Sequence, residues 1–81
     1  MIVAPQVRAA RALLGWTQDD LASRSEITHR TLAMFEVGKR MPHARTLAKI
    51  KEVLEGAGIT FLKSDSALGV TVEAARIRGD D

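Results

Sequence analysis

The chain has 81 residues, 46% of them hydrophobic and 27% charged, a balance that fits one small folded domain and excludes a disordered chain. It has no cysteine, which excludes a disulfide framework, a thiolate zinc finger and a cysteine nucleophile. The net charge of +2 hides an asymmetry: residues 1–63 hold ten Lys/Arg against six Asp/Glu, and residues 64–81 hold two against four, so a basic body with an acidic tail suits an anionic partner.

Helical spacing dominates the first two-thirds. Val7, Ala10, Leu13 and Leu14 recur at offsets of three and four and share one helix face. Pro5 sits where a first turn tolerates proline, and Gly15 is a natural stop. Thr17 then caps a second helix whose first turn carries Asp19 and Asp20, where the helix dipole favours them. That helix turns Leu21 and Ala22 inward and ends near Ser25. Thr28 is the next N-cap, for a helix over about 29–37 with Leu32 and Phe35 as its inward pair; Gly38 ends it. Residues 39–42 form a loop closed by Pro42. A fourth helix over about 44–56 bears the stripe Leu47, Ile50, Val53, Leu54 and Ala57.

After Gly58 the period changes. Residues 59–62 are β-branched and aromatic, and 70–72 alternate, with a polar turn-like stretch 63–69 between them, which predicts a hairpin. A lone hairpin is unstable in water and must pack on something. Residues 73–81 extend the strand or make a helical turn. The division this predicts is a body over 1–58 and a β extension with its tail over 59–81.

Two short helices about four residues apart make a helix-turn-helix pattern. Leu21 fills the space between them, small Ala22 allows a close crossing, and Ile27 plugs the turn. Leu32 and Phe35 anchor the second helix from below, leaving its N-terminal outer face free to enter a major groove.

The stretch 8–54 resembles the Cro and phage-repressor type of helix-turn-helix proteins, the XRE family. The residues that carry the likeness are Arg11, Leu14, Gly15, Trp16, Thr17, Gln18, Leu21 and Ala22, then Ile27 and Thr28. Phe35, Glu36, Gly38, Lys39, Arg40 and Pro42 follow, then Thr46, Leu47 and Ile50. The end of the chain, with Ile59, Phe61, Gly69 and Val70, resembles a short bacterial subgroup with a β extension in place of a fifth helix. The fold implied is mainly α: a four-helix, lambda-repressor-like domain followed by a short C-terminal β-hairpin. Glu26 stands where the family often has glycine, so this turn either takes a strained backbone or differs slightly, and it brings a negative charge near the DNA side.

The resemblance implies roles for single residues. Gln18 matches a position that holds a DNA phosphate. Thr28, His29, Arg30 and Thr31 open the recognition helix. Arg30 suits the O6/N7 edge of guanine, His29 can donate to a base acceptor or a phosphate, and Met34 can reach a thymine methyl. Lys39 and Arg40 are expected on backbone phosphates. Arg11 and Glu36 match residues that join the first and third helices as an ion pair. Trp16 reads as core or as a cover on the first helix, and His43 carries no assigned role.

No nucleophile–base pair, phosphate-cradling glycine loop or metal-ligand spacing occurs, so neither an enzyme nor a cofactor is expected. No apolar run approaches the roughly 20 residues that span a bilayer, and the start lacks a signal-peptide pattern, so the expected setting is cytoplasmic. The expected partner is double-stranded DNA, bound by a homodimer that pairs through Ile59, Phe61, Leu62, Val70 and Val72, because a small body offers these strands no evident cover; the alternative is that the hairpin folds back on Leu54 and the first helix and leaves a monomer. The competing expectation is a protein-binding module on the same fold, an anti-activator or antitoxin, with weak DNA binding or none.

Overall fold

The computed structural model describes residues 1–76, and the expectation for residues 77–81 lies outside the described residues. Four helices come first: α1 (Ala4–Leu14), α2 (Gln18–Ser25), α3 (His29–Glu36) and α4 (Ala44–Gly56). Two strands, β1 (Ile59–Lys63) and β2 (Leu68–Val72), form an antiparallel hairpin, followed by a 3-10 turn over Ala74–Arg76. The architecture is thus the mainly helical domain with a terminal hairpin that the spacing predicts.

Local chemistry explains the helix ends. The Thr17 hydroxyl accepts from the Asp20 N–H at 3.0 Å while the Thr17 N–H donates to the Asp20 carboxylate at 2.8 Å, a reciprocal cap. Thr28 caps α3 by accepting from the Thr31 N–H at 3.1 Å. At their C-termini α1, α2 and α3 close alike, with a left-handed residue followed by an N–H that reaches back five residues. Trp16 N–H donates to Arg11, Ile27 N–H to Ala22 and Lys39 N–H to Met34. The left-handed residues are Gly15, Glu26 and Gly38. Of the two alternatives left open for the turn after α2, the chain takes the first: Glu26 holds φ 59° with a side chain and therefore with strain.

The core collects one face of every element. Val7, Ala10 and Leu14 of α1 meet Leu21 and Ala22 of α2, Leu32 and Phe35 of α3, and Leu47, Ile50 and Leu54 of α4; Ile2 and Ile59 close its two ends. Leu13 and Val53 stay partly buried beside it, as does Ile27 in the turn.

The hairpin is longer than the alternation alone indicates. Lys63 pairs with Leu68 and Leu62 with Gly69, so three residues of the predicted turn stretch join the ladder. The turn itself is 64–67, closed by Ser64 N–H to Ala67 O at 2.8 Å. On one face, Ile59, Phe61, Val70 and Val72 pack against the helical core. β2 lies along α1, and β1 meets α4. Gln6 fastens this arrangement. Its side-chain amide is buried, donates to Leu62 O at 3.2 Å and Gly69 O at 3.0 Å, and accepts from Val3 N–H at 3.1 Å. The two carbonyls belong to one cross-strand pair, so a single side chain ties α1 to both strands.

Candidate nucleic-acid interface

Helix α3 is held from behind by one carboxylate. Glu36, in the last turn of α3, is 1% exposed. Arg11 of α1 donates to it twice, Nε to Oε2 and Nη2 to Oε1, each at 2.8 Å, the fork geometry that guanidinium and carboxylate match. The third Arg11 nitrogen donates to Trp16 O at 3.0 Å. Gln18, the first residue of α2, donates to Glu36 Oε1 at 3.0 Å. Arg8 donates to the Glu36 backbone carbonyl. One side chain of α3 is therefore tied to α1 and α2 together. The Arg11 guanidinium is held above its ordinary pKa, mainly by its hydrogen bond to Glu36; burial opposes this, and the charge of Glu36 adds to it.

With its rear face fixed, α3 turns its N-terminal half outward. His29 and Arg30 are exposed, while Thr31, Ala33 and Met34 are half-buried. Two of the expected base-contacting groups are already bonded to each other: the Thr28 hydroxyl donates to the Thr31 hydroxyl at 2.9 Å. His29 faces Asp19 of α2 through Nδ1. Beyond the helix, Lys39 and Arg40 are exposed in the loop. Arg40 also lines a cleft with Ile27, Thr28, Thr31, Met41, Pro42, His43 and Thr46, between the starts of α3 and α4.

The structure thus gathers Thr28, His29, Arg30, Thr31 and Arg40 at the start of α3, leaves Lys39 exposed just past its end, and sets Arg11, Gln18 and Glu36 behind that end. Gln18 spends one amide hydrogen on Glu36, so any phosphate it holds is held by the remaining hydrogen. Of the hairpin residues expected at a dimer interface, Ile59, Phe61, Val70 and Val72 rest on the chain's own helices, and Leu62 points outward at 47% exposure. Of the two outcomes left open for the hairpin, one face folds back, and α1 and α4 cover it. Trp16 is half-buried, with Arg24 4.3 Å above its ring, a cation–π cover.

Sequence reasoning passed over three participants. His43 and Thr46 join the cleft beside Arg40 only because the loop folds back to the start of α4. Asp19, read as a dipole partner alone, also meets His29, ten residues away. No spacing rule marks such pairs, because they depend on how α2 crosses α3.

Among the described residues no cluster of potential metal ligands occurs, and no helix is long and apolar enough to cross a membrane. Two short capped helices crossing over Leu21 and Ala22, the second with a braced rear and an open polar front, define a helix-turn-helix DNA-binding domain. Residues 7–60 match the family described as Helix-turn-helix. The chain belongs to this family, in its XRE type, and is a DNA-binding regulator in the general sense that the family carries. No curated protein matches the chain.

Proposed function

We propose that the protein is a sequence-specific transcriptional regulator that binds a roughly palindromic operator as a homodimer, with α3 in the major groove. The observation that carries this reading is the division of labour on α3. Leu32, Phe35 and Glu36 hold the helix to the body, while His29 and Arg30 at its exposed start have no part in the core. Arg30 is the residue for bidentate contact with guanine, with Thr28, His29, Thr31 and Met34 around it. Lys39, Arg40 and Gln18 meet backbone phosphates and set the register. Recognition helices from two subunits fall in successive major grooves, so half-sites lie about 10–10.5 base pairs apart.

The hairpin is the proposed dimer element. Among the described residues its two-stranded sheet leaves the outer edge of each strand without a strand partner, and edge pairing across a two-fold axis satisfies both subunits alike. Leu62 and Leu68, 47% and 51% exposed, supply apolar area beside those edges.

The same exposed leucines favour one second reading, a module that captures a partner protein through the hairpin. A charge reversal, Arg30→Glu, separates the two. The test is selection from a random duplex library, followed by binding of the enriched sequence. Enrichment of a palindromic site that Arg30→Glu abolishes supports the regulator. A folded protein that enriches nothing supports the partner-binding module.

A further inference from the structure

The Asp19–His29 contact bears on which base the recognition helix accepts. Asp19 is the second residue of α2 and His29 the first of α3. The turn between the two helices brings His29 Nδ1 within 2.5 Å of Asp19 Oδ1. An ionised carboxylate has no hydrogen to give, so the hydrogen on this line belongs to Nδ1. A neutral imidazole carries one ring hydrogen only. With that hydrogen on Nδ1, Nε2 is left as an acceptor. More than half of the His29 side chain is exposed, and among the described residues Nε2 has no hydrogen-bond partner.

We infer that Asp19 is a positioning residue for sequence readout: by taking the Nδ1 hydrogen of His29 it presents Nε2 to DNA as an acceptor, which selects the exocyclic amine of adenine or cytosine. In the major groove only those two bases offer a donor, adenine through N6 and cytosine through N4; guanine and thymine offer acceptors alone. A histidine without the carboxylate exchanges its hydrogen between the two nitrogens and can serve either kind of base. The sequence alone lets His29 donate to a base, and the contact with Asp19 reverses that sense for the neutral ring. This inference rests on the proposed operator binding by α3.

Two measurements test it, both in mildly alkaline buffer so that free imidazole is neutral. The first is nitrogen-15 NMR of His29 in the full chain without DNA, which reports the protonated nitrogen. The expected result is Nδ1–H in the wild type and a mixture in Asp19→Ala. The second is duplex-library selection with wild type, His29→Ala and Asp19→Ala. His29→Ala identifies the operator position that His29 reads. At that base pair the wild type is expected to favour, by about tenfold, the pair and orientation that turn an adenine or cytosine amine toward His29, in the range of single mismatch costs. Asp19→Ala is expected to cut that preference to less than about threefold and to leave every other position unchanged. Asp19 is exposed in the first turn of α2, and its removal takes a negative charge away from the DNA face, so overall affinity is expected to hold or rise. A purely structural role for Asp19 would weaken all positions together. An Nε2–H ring in the wild type, or a preference unmoved by Asp19→Ala, overturns the inference. If wild type and variants all enrich nothing, operator binding fails and the readout role falls with it, and an Nδ1–H ring would then show a contact without that role.

Discussion

Replacing Glu26 by glycine is expected to stabilise the protein, although it deletes a whole side chain. Three helices end in the same left-handed closure, two of them on glycine and one on Glu26 at φ 59°, ψ 40°. An L-residue pays about 1–2 kcal/mol in this region, and glycine pays nothing. Against that, glycine gains freedom in the unfolded chain, which costs about 0.4–1 kcal/mol. The side chain contributes little in return: it is 82% exposed, and its nearest charge, Lys49 Nζ, is 3.9 Å away and itself 40% exposed, where ion pairs add almost nothing. The net gain is about 0.5–1 kcal/mol, which in a domain of this size raises Tm by about 3–6 °C. The mirror change, Gly15→Ala at φ 70° with open space where a Cβ would stand, is expected to lower Tm by a similar amount. Thermal unfolding followed by circular dichroism, with urea midpoints beside it, reads both. A Glu26→Gly protein with unchanged or lower Tm would refute the reasoning, as would a Gly15→Ala protein that gains stability.

Further expectations come from the buried polar groups and the cationic loop. Gln6→Ala removes three hydrogen bonds, two of them from α1 to the hairpin, so it is expected to cost about 2–4 kcal/mol, with hydrogen exchange of the hairpin amides rising first. Ser25 is buried and its hydroxyl has no partner among the described residues, so Ser25→Ala is expected to be neutral or stabilising by about 1 kcal/mol in urea unfolding. Arg11→Met strands the Glu36 carboxylate and is expected to cost about 3–5 kcal/mol, much of it recovered when Glu36→Gln is added. A base whose folded pKa is raised adds stability that is complete below its unfolded value and lost as pH rises through the folded one. Arg11 therefore contributes no slope to urea stability near neutral pH and loses its contribution only in strongly alkaline solution. Lys39→Ala is expected to weaken binding to all duplexes alike and to flatten the log–log salt slope by about 0.9.

The helices were legible because their signals are local. Thr17 and Thr28 cap, Gly15 and Gly38 stop, and the stripes from Val7 to Leu54 fall at helical offsets that became the core. The strands were underread at their inner ends, because Lys63 and Gly69 look like turn residues and join the ladder only through their partners. The cover of the hairpin by α1 and Leu54 was legible only as one of two alternatives, for a related reason. The residue that pins it is Gln6, a polar side chain inside an apolar stripe, and nothing in the pattern of α1 distinguishes a solvated glutamine from a buried one. The front of α3 was legible as a set of residue types. The bonds among those residues, Thr28 to Thr31 and His29 to Asp19, arise from geometry at the helix crossing.

The most direct test of operator binding through α3 is fluorescence anisotropy of a labelled duplex from upstream of the protein's own gene. Wild type and Arg30→Ala would be titrated at about 150 mM salt with excess random competitor DNA. The account predicts saturable wild-type binding that survives the competitor, and an Arg30→Ala protein that binds at least tenfold more weakly while remaining folded. Binding that the competitor removes equally from both proteins, or no binding by a folded wild type to any enriched duplex, would contradict it.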